Sequence, residues 1–151
     1  MSIVPTDVNY NYLLMRQNLT QLNRLFPFLN IQIAGNSALG KNIYAVKLGK
    51  GSKSVFYSAS IHANEWITSV LLMKFIENYC LAYQSNSKLY GYSVRNLFNS
   101  VSIYIMPMVN PDGVDLVTGY IVPGSSTYFK AQQISSQFPD IPFPSRLESK
   151  Y

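Results

Sequence analysis

The sequence predicts an α/β fold, with helices packed on a mixed, largely parallel sheet, and three observations lead there. Short β-prone runs alternate with helical patterns, Gly- and Asn-containing turns separate the early runs, and Val101 to Met106 is a nearly all-apolar segment of strand length. Such a segment suits a strand covered on both faces.

The elements follow in order. Met15, Leu19, Leu22 and Phe26 recur at helical spacing after a polar start at Thr6 and Asp7, predicting an amphipathic helix that ends near Pro27 and lies on a sheet. Ile31 to Ile33 and Ile43 to Leu48 read as a hairpin or connected strand pair, with Gly35, Asn36 and Gly40 between them. Ser54 to Ser60 is a third strand centred on Val55, Phe56 and Tyr57, and Trp66 to Tyr83 a long buried helix. Lys74, Glu77 and Asn78 interrupt that helix, which makes it a poor membrane span. A polar loop with Ser85, Asn86, Ser87 and Gly91 leads to a short helix around Val94 to Phe98 and then to the apolar strand. From about Pro123 the pattern weakens into Pro, Ser, Gln and Gly, and Phe138 to Pro144 is extended by proline geometry.

Composition narrows the function. At 151 residues and 48% hydrophobic, the chain has the length and apolar content of one globular domain. Its formal charge of +5 reflects few acids, and the Lys and Arg residues are scattered singly, so a nucleic-acid partner is not expected. Cys80 is the sole cysteine, which excludes an internal disulfide and fits a small buried hydrophobe. The residues from Met1 to Asn11 lack the basic start and apolar run of a secretion signal, so the expectation is a cytoplasmic protein with no membrane partner.

Chemistry concentrates at His62-Ala63-Asn64-Glu65-Trp66, between a predicted strand and a predicted helix, where open α/β sheets place ligand sites. An imidazole nitrogen and a carboxylate oxygen are both good zinc donors, and a tight turn can bring His62 and Glu65 onto one ion. The spacing alone equally describes a surface histidine and a glutamate at a helix start. After the next buried strand comes Asn110-Pro111-Asp112-Gly113, which taken alone is a strand-terminating turn.

Together these segments resemble the zinc carboxypeptidase family of metallopeptidases, in which a His-x-x-Glu pair after a strand supplies two metal ligands and an Asn-Pro-Asp-Gly segment ends the following strand. The string Ser58 to Thr68 is most similar to the bacterial branch that cleaves γ-D-glutamyl to diamino acid bonds of peptidoglycan stem peptides. The resemblance runs from about Tyr10 to Ser145 and includes Leu39-Gly40-Lys41 and the Phe138 to Pro144 stretch. Digestive relatives carry a substrate-binding arginine just before the glutamate; Asn64 stands there in this chain, in keeping with the bacterial branch. What the resemblance implies is a zinc-dependent hydrolase with His62 and Glu65 as metal ligands, Zn2+ as cofactor, and a peptide or peptidoglycan stem peptide as substrate. An ordinary metallocarboxypeptidase and a non-catalytic module binding peptide or a partner remain the alternatives.

Family members need a second histidine, a catalytic glutamate and a substrate-binding basic residue from later sequence, so this chain is expected to be catalytically incomplete, with no catalytic residue of its own. Gly113-Val114-Asp115-Leu116 superficially matches a later family motif, but it is continuous with the Asn-Pro-Asp-Gly turn and is discounted as a substrate site. Asp112 and Asp115 could each lend zinc an oxygen, without support from the resemblance. Residues 1–145 are accordingly read as the N-terminal part of a truncated peptidase domain, and 146–151 as an out-of-frame tail. Members of the bacterial branch typically continue Gly-Trp-Lys-Ala-Asn-Ile-Arg; inserting one base before a coding sequence for that segment yields Arg-Leu-Glu-Ser-Lys-Tyr-stop, the residues found at 146–151. An unfinished sheet has open edges, which predicts self-association.

Overall fold

The computed structural model describes residues 2–137. The Phe138 to Pro144 stretch and the 146–151 tail lie outside the described residues. Helix α1 (Tyr12–Leu25) starts where the Asn11 side chain accepts the Leu14 N–H at 2.9 Å. Its apolar face, with Met15, Leu19 and Leu22, is buried, and it stops before Pro27 as the periodicity predicts. Strands β1 (Asn30–Asn36) and β2 (Asn42–Leu48) form the expected antiparallel hairpin. The turn between them closes when Ser37 N–H donates to the Lys41 carbonyl, with Gly40 at φ +78° supplying the left-handed residue.

Strand β3 (Lys53–Ser58) precedes a single 3-10 turn at Ala63–Glu65 and helix α2 (Trp66–Gln84). A two-residue ribbon, β4 (Lys88–Leu89) against β5 (Tyr92–Ser93), occupies the segment read as a plain loop. Helix α3 (Val94–Ser100), capped by the Ser93 hydroxyl, then leads into β6 (Val101–Met106). The sheet order is β1-β2-β6-β3, so the most apolar strand is an inner one.

An α/β fold with helices on a mixed sheet is therefore borne out, but the parallel share is smaller than expected. Of the pairings in this sheet, β1 with β2 and β2 with β6 are antiparallel, and β3 with β6 is the parallel one. The short hairpin turn forces the first, and α2 and α3 provide the crossover that the last requires. Cover on both faces of β6 is also incomplete. Ile103 and Ile105 are buried in the core while Tyr104, on the opposite face, is 38% exposed with the Lys47 ammonium over its ring.

One core joins sheet and helices: Val46, Leu48, Ile103 and Ile105 pack with Met15 and Leu22 of α1, Met73 and Ile76 of α2, and Phe98 of α3. Cys80 is fully buried in it, and burial pushes its thiol up to about 12, so the sulfur stays protonated as a small hydrophobe. Helix α2 is buried along one side only, since Ile67, Leu71 and Leu81 stand exposed. Glu77, also on α2, is 1% exposed and accepts the backbone N–H groups of Ile3 and Val4 while pairing with Lys74, so it ties the N-terminal segment to the helix.

Two helices appear where the sequence suggested turn or irregular chain. Asn110-Pro111-Asp112-Gly113 does terminate β6, and it also starts helix α4 (Pro111–Val117). Asn110 caps it by accepting the Gly113 N–H at 2.9 Å, and Pro111 takes the first helical position, where its missing N–H costs nothing. Past Pro123, helix α5 (Ser126–Ser135) is capped by Ser125, whose side chain accepts the Tyr128 N–H, and it packs Ala131 against Leu116.

Candidate metal site

The parallel pairing of β3 and β6 sets the C-terminal ends of both strands side by side. Beyond the ladder, Ala59 N–H donates to the Met106 carbonyl, Val109 N–H to the Ala59 carbonyl, and Asn110 N–H to the Ser60 carbonyl. The two segments that the sequence singled out, Ser58 to Thr68 and Asn110 to Gly113, are thus hydrogen-bonded to one another at one end of the sheet.

The 3-10 turn hangs from this junction. Ala63 is fully buried beneath it, whereas the His62 and Glu65 side chains are 53% and 50% exposed. His62 has extended backbone geometry as the turn begins, and Glu65 N–H closes the turn onto the His62 carbonyl at 3.2 Å. The two side chains converge, with His62 Nδ1 3.2 Å from Glu65 Oε1. At that exposure a contact of this kind is worth little to stability. Its significance is geometric: a nitrogen donor and an oxygen donor lie 3.2 Å apart on one exposed turn.

Those donors fit zinc in kind, since neutral imidazole and carboxylate are among its ordinary ligands. In number they fall short of the three that a catalytic site takes from protein. No cluster of three or more His, Cys, Asp or Glu side chains able to hold a metal occurs among the described residues. Asp112 and Asp115 are committed elsewhere. Lys41 Nζ lies 3.2 Å from Asp112 Oδ1 and 2.6 Å from Asp115 Oδ2, contacts that are ionic rather than well-aligned hydrogen bonds. The remaining oxygens accept the Leu39 and Tyr12 N–H groups at 2.9 and 2.8 Å. Both carboxylates are buried, so this arrangement anchors α4 to the Leu39-Gly40-Lys41 loop and to the start of α1. Gly113 to Leu116 is correspondingly buried within α4, which agrees with discounting it as a substrate site.

A hydroxyl cluster on the other side of the turn went unnoticed in the sequence. Ser60 is buried with φ +49°, a left-handed conformation uncommon for a residue with a side chain. Its N–H donates to Thr68 Oγ1 at 2.9 Å, and its hydroxyl lies 2.6 Å from Ser69 Oγ and 3.3 Å from the Glu65 carbonyl oxygen. Thr68 Oγ1 in turn donates to that same carbonyl at 2.7 Å. The available signal was the Thr68-Ser69 pair in the first turn of a helix, where short hydroxyl side chains bond local backbone.

Comparison with known proteins adds a lineage to this geometry. The sequence profile described as zinc carboxypeptidase matches residues 15–131. Gamma-D-glutamyl-L-diamino acid endopeptidase 1 of Lysinibacillus sphaericus is 42% identical over 115 residues, covering 76% of this chain and 29% of that protein. An uncharacterized protein of Bacillus subtilis is 46% identical over 95 residues, covering 62% of this chain and 25% of its own length. The chain therefore spans less than a third of the length of these curated relatives. Among solved structures, bovine thrombin-activatable fibrinolysis inhibitor, in complex with tick carboxypeptidase inhibitor, superposes with a TM-score of 0.60 at 23% identity, over 72% of this chain and 33% of that one. A metallo-carboxypeptidase from Burkholderia cenocepacia gives 0.58 at 20% identity, over 70% of this chain and 28% of its own. At such identities the likeness concerns the fold alone.

Proposed function

The chain belongs to the zinc carboxypeptidase family, and on that premise we propose that it carries part of the active site of a zinc-dependent peptidase, with His62 and Glu65 as two of the metal ligands. The substrate proposed is a peptide with a γ-D-glutamyl to diamino acid bond, as in peptidoglycan stem peptides. The observation that carries the substrate class is the 42% identity to an endopeptidase of that name over 76% of this chain.

The convergence of His62 Nδ1 and Glu65 Oε1 at 3.2 Å on an exposed turn supports the ligand assignment. Bound zinc would polarise a scissile carbonyl and acidify a water. The residues of this chain contribute differently. His62 and Glu65 would hold the ion, while the buried Ala63 and the Asn110–Ser60 hydrogen bond fix the turn beneath them. Asn64, exposed beside Glu65, carries no charge with which to bind a substrate carboxylate, in keeping with an endopeptidase rather than an enzyme reading a free C-terminus. With two donors, the chain is proposed to be catalytically incomplete by itself and to bind zinc weakly.

Calorimetric zinc binding to the chain tests the assignment. His62→Ala and Glu65→Ala are each expected to lower affinity at least tenfold, roughly the effect of removing a ligand or its support. Isotherms that match the parent chain in both variants would overturn it.

A further inference from the structure

We infer that Thr68 is a positioning residue for the metal turn, acting through the backbone of Ser60 and Glu65; this rests on the assignment of His62 and Glu65 as ligands. The Thr68 hydroxyl bridges the turn, accepting from Ser60 N–H at 2.9 Å and donating to the Glu65 carbonyl at 2.7 Å. One side chain therefore fastens the residue two before the histidine and the glutamate itself, enclosing His62 to Glu65 in a closed loop of hydrogen bonds.

A threonine that bonds the carbonyl three residues back is a common local motif and by itself would signify nothing. Ser60 changes that. It is 1% exposed and left-handed at φ +49°, so its backbone sits in a sparsely populated region that persists only where surroundings hold it. Every polar group of Ser60 is engaged. The carbonyl takes Asn110 N–H, the hydroxyl meets Ser69 Oγ and the Glu65 carbonyl, and the N–H has Thr68. The hydroxyl contacts also reach across the turn to the helix start, and the Thr68 contact is the one that holds the Ser60 backbone N–H there. Without it the buried Ser60 N–H is left unsatisfied, a cost that favours movement of Ser60 and with it a change in the direction in which the chain leaves toward His62.

The pairing of valine and serine at this position separates positioning from folding. Thr68→Val keeps the branched shape and deletes the hydroxyl, whereas Thr68→Ser keeps the hydroxyl. Because His62 is the sole histidine of the chain, its ring carbon-bound protons give unambiguous NMR signals. In the zinc-free chain of 151 residues, T68V is expected to move those signals and T68S to leave them in place. With added zinc chloride, T68V should bind about tenfold more weakly and T68S within about twofold of the parent, the range expected for support of a ligand. A T68V chain that melts at lower temperature while keeping the parent His62 signals and zinc isotherm would overturn the inference, because that is the signature of a purely structural contact. Should His62→Ala leave zinc binding unchanged, the ligand assignment falls, and the zinc-free His62 signals still decide whether Thr68 sets the turn. If T68V does not fold, Thr68→Ala leaves room for a water to take up the Ser60 N–H while removing the side-chain bridge to the Glu65 carbonyl; it should move the zinc-free His62 signals, and unmoved signals would overturn the inference.

Discussion

Gly113 meets Ala63 so closely that a Cβ at position 113 would stand 2.9 Å from the Ala63 methyl carbon and 2.6 Å from Asn110 Nδ2. Helix α4 thus rests directly on the turn that carries His62 and Glu65, and only a residue without a side chain permits the approach. Gly113→Ala sets two effects against each other. Alanine gains about 1 kcal/mol of helix propensity, but overpacking in a buried contact costs about 1–3 kcal/mol. The Asn110 amide cannot give way without surrendering its cap on the Gly113 N–H. Net destabilisation of up to about 2 kcal/mol is expected in urea unfolding; a variant more stable than the parent would show that the contact relaxes freely.

Lys41→Met leaves Asp112 and Asp115 without their shared cation. Asp115 is completely buried and Asp112 nearly so, and the Lys41 side chain is only 19% exposed. Breaking one partner out of a buried ionic group costs about 3–5 kcal/mol, because the charges left behind are neither solvated nor paired. Urea midpoints at neutral pH check this. A loss under about 1 kcal/mol would place the cluster with surface ion pairs, which contribute little.

Glu77 couples the N-terminal segment to pH. Burial opposes its charged form, yet the Lys74 ammonium and the N–H groups of Ile3 and Val4 outweigh that and hold the carboxyl below its ordinary range. A carboxyl depressed in the folded state contributes stability that is complete above its unfolded pKa of about 4.3 and is lost as pH falls through the lower folded value. Glu77→Gln is therefore expected to be less stable than the parent at pH 7, with the gap narrowing in acid. Parallel stability curves for the two proteins between neutral pH and about pH 3 would refute the coupling.

Legibility varied with the kind of signal. Periodic burial was readable: α1 presents Met15, Leu19 and Leu22 to the core as their spacing requires, and Val101 to Met106 is an inner strand because its side chains are apolar. Helix α4 escaped because Pro111 to Leu116 is buried all round and so has no amphipathic period, and the Asn110 cap with proline behind it is also what a turn looks like. Helix α5 buries only Ala131 and Ser135, too little to imprint a hydrophobic pattern. At the site, the sequence marks His62 and Glu65 as a donor pair on one turn, and the structure brings their side chains to 3.2 Å. Ser60 and Thr68 were not legible, because a serine's left-handed backbone and a threonine's two-way hydrogen bond depend on the junction of β3 with β6, a tertiary event invisible in local sequence.

That junction also orders events in time. Lys53 to Ser58 pairs with Val101 to Met106 only after α2, the β4–β5 ribbon and α3 have been placed between them, and on its other flank β3 has no neighbour among the described strands. A strand whose sole partner is distant in sequence must wait for a large loop to close before its hydrogen bonds offset the lost chain entropy. On the ribosome, the Ser60 carbonyl has no N–H to accept until Asn110 has been synthesised and docked. Val55 and Tyr57, on one face of β3, remain 41% and 49% exposed even after β3 has paired with β6, and the turn that carries His62 and Glu65 is among the last features to acquire its shape.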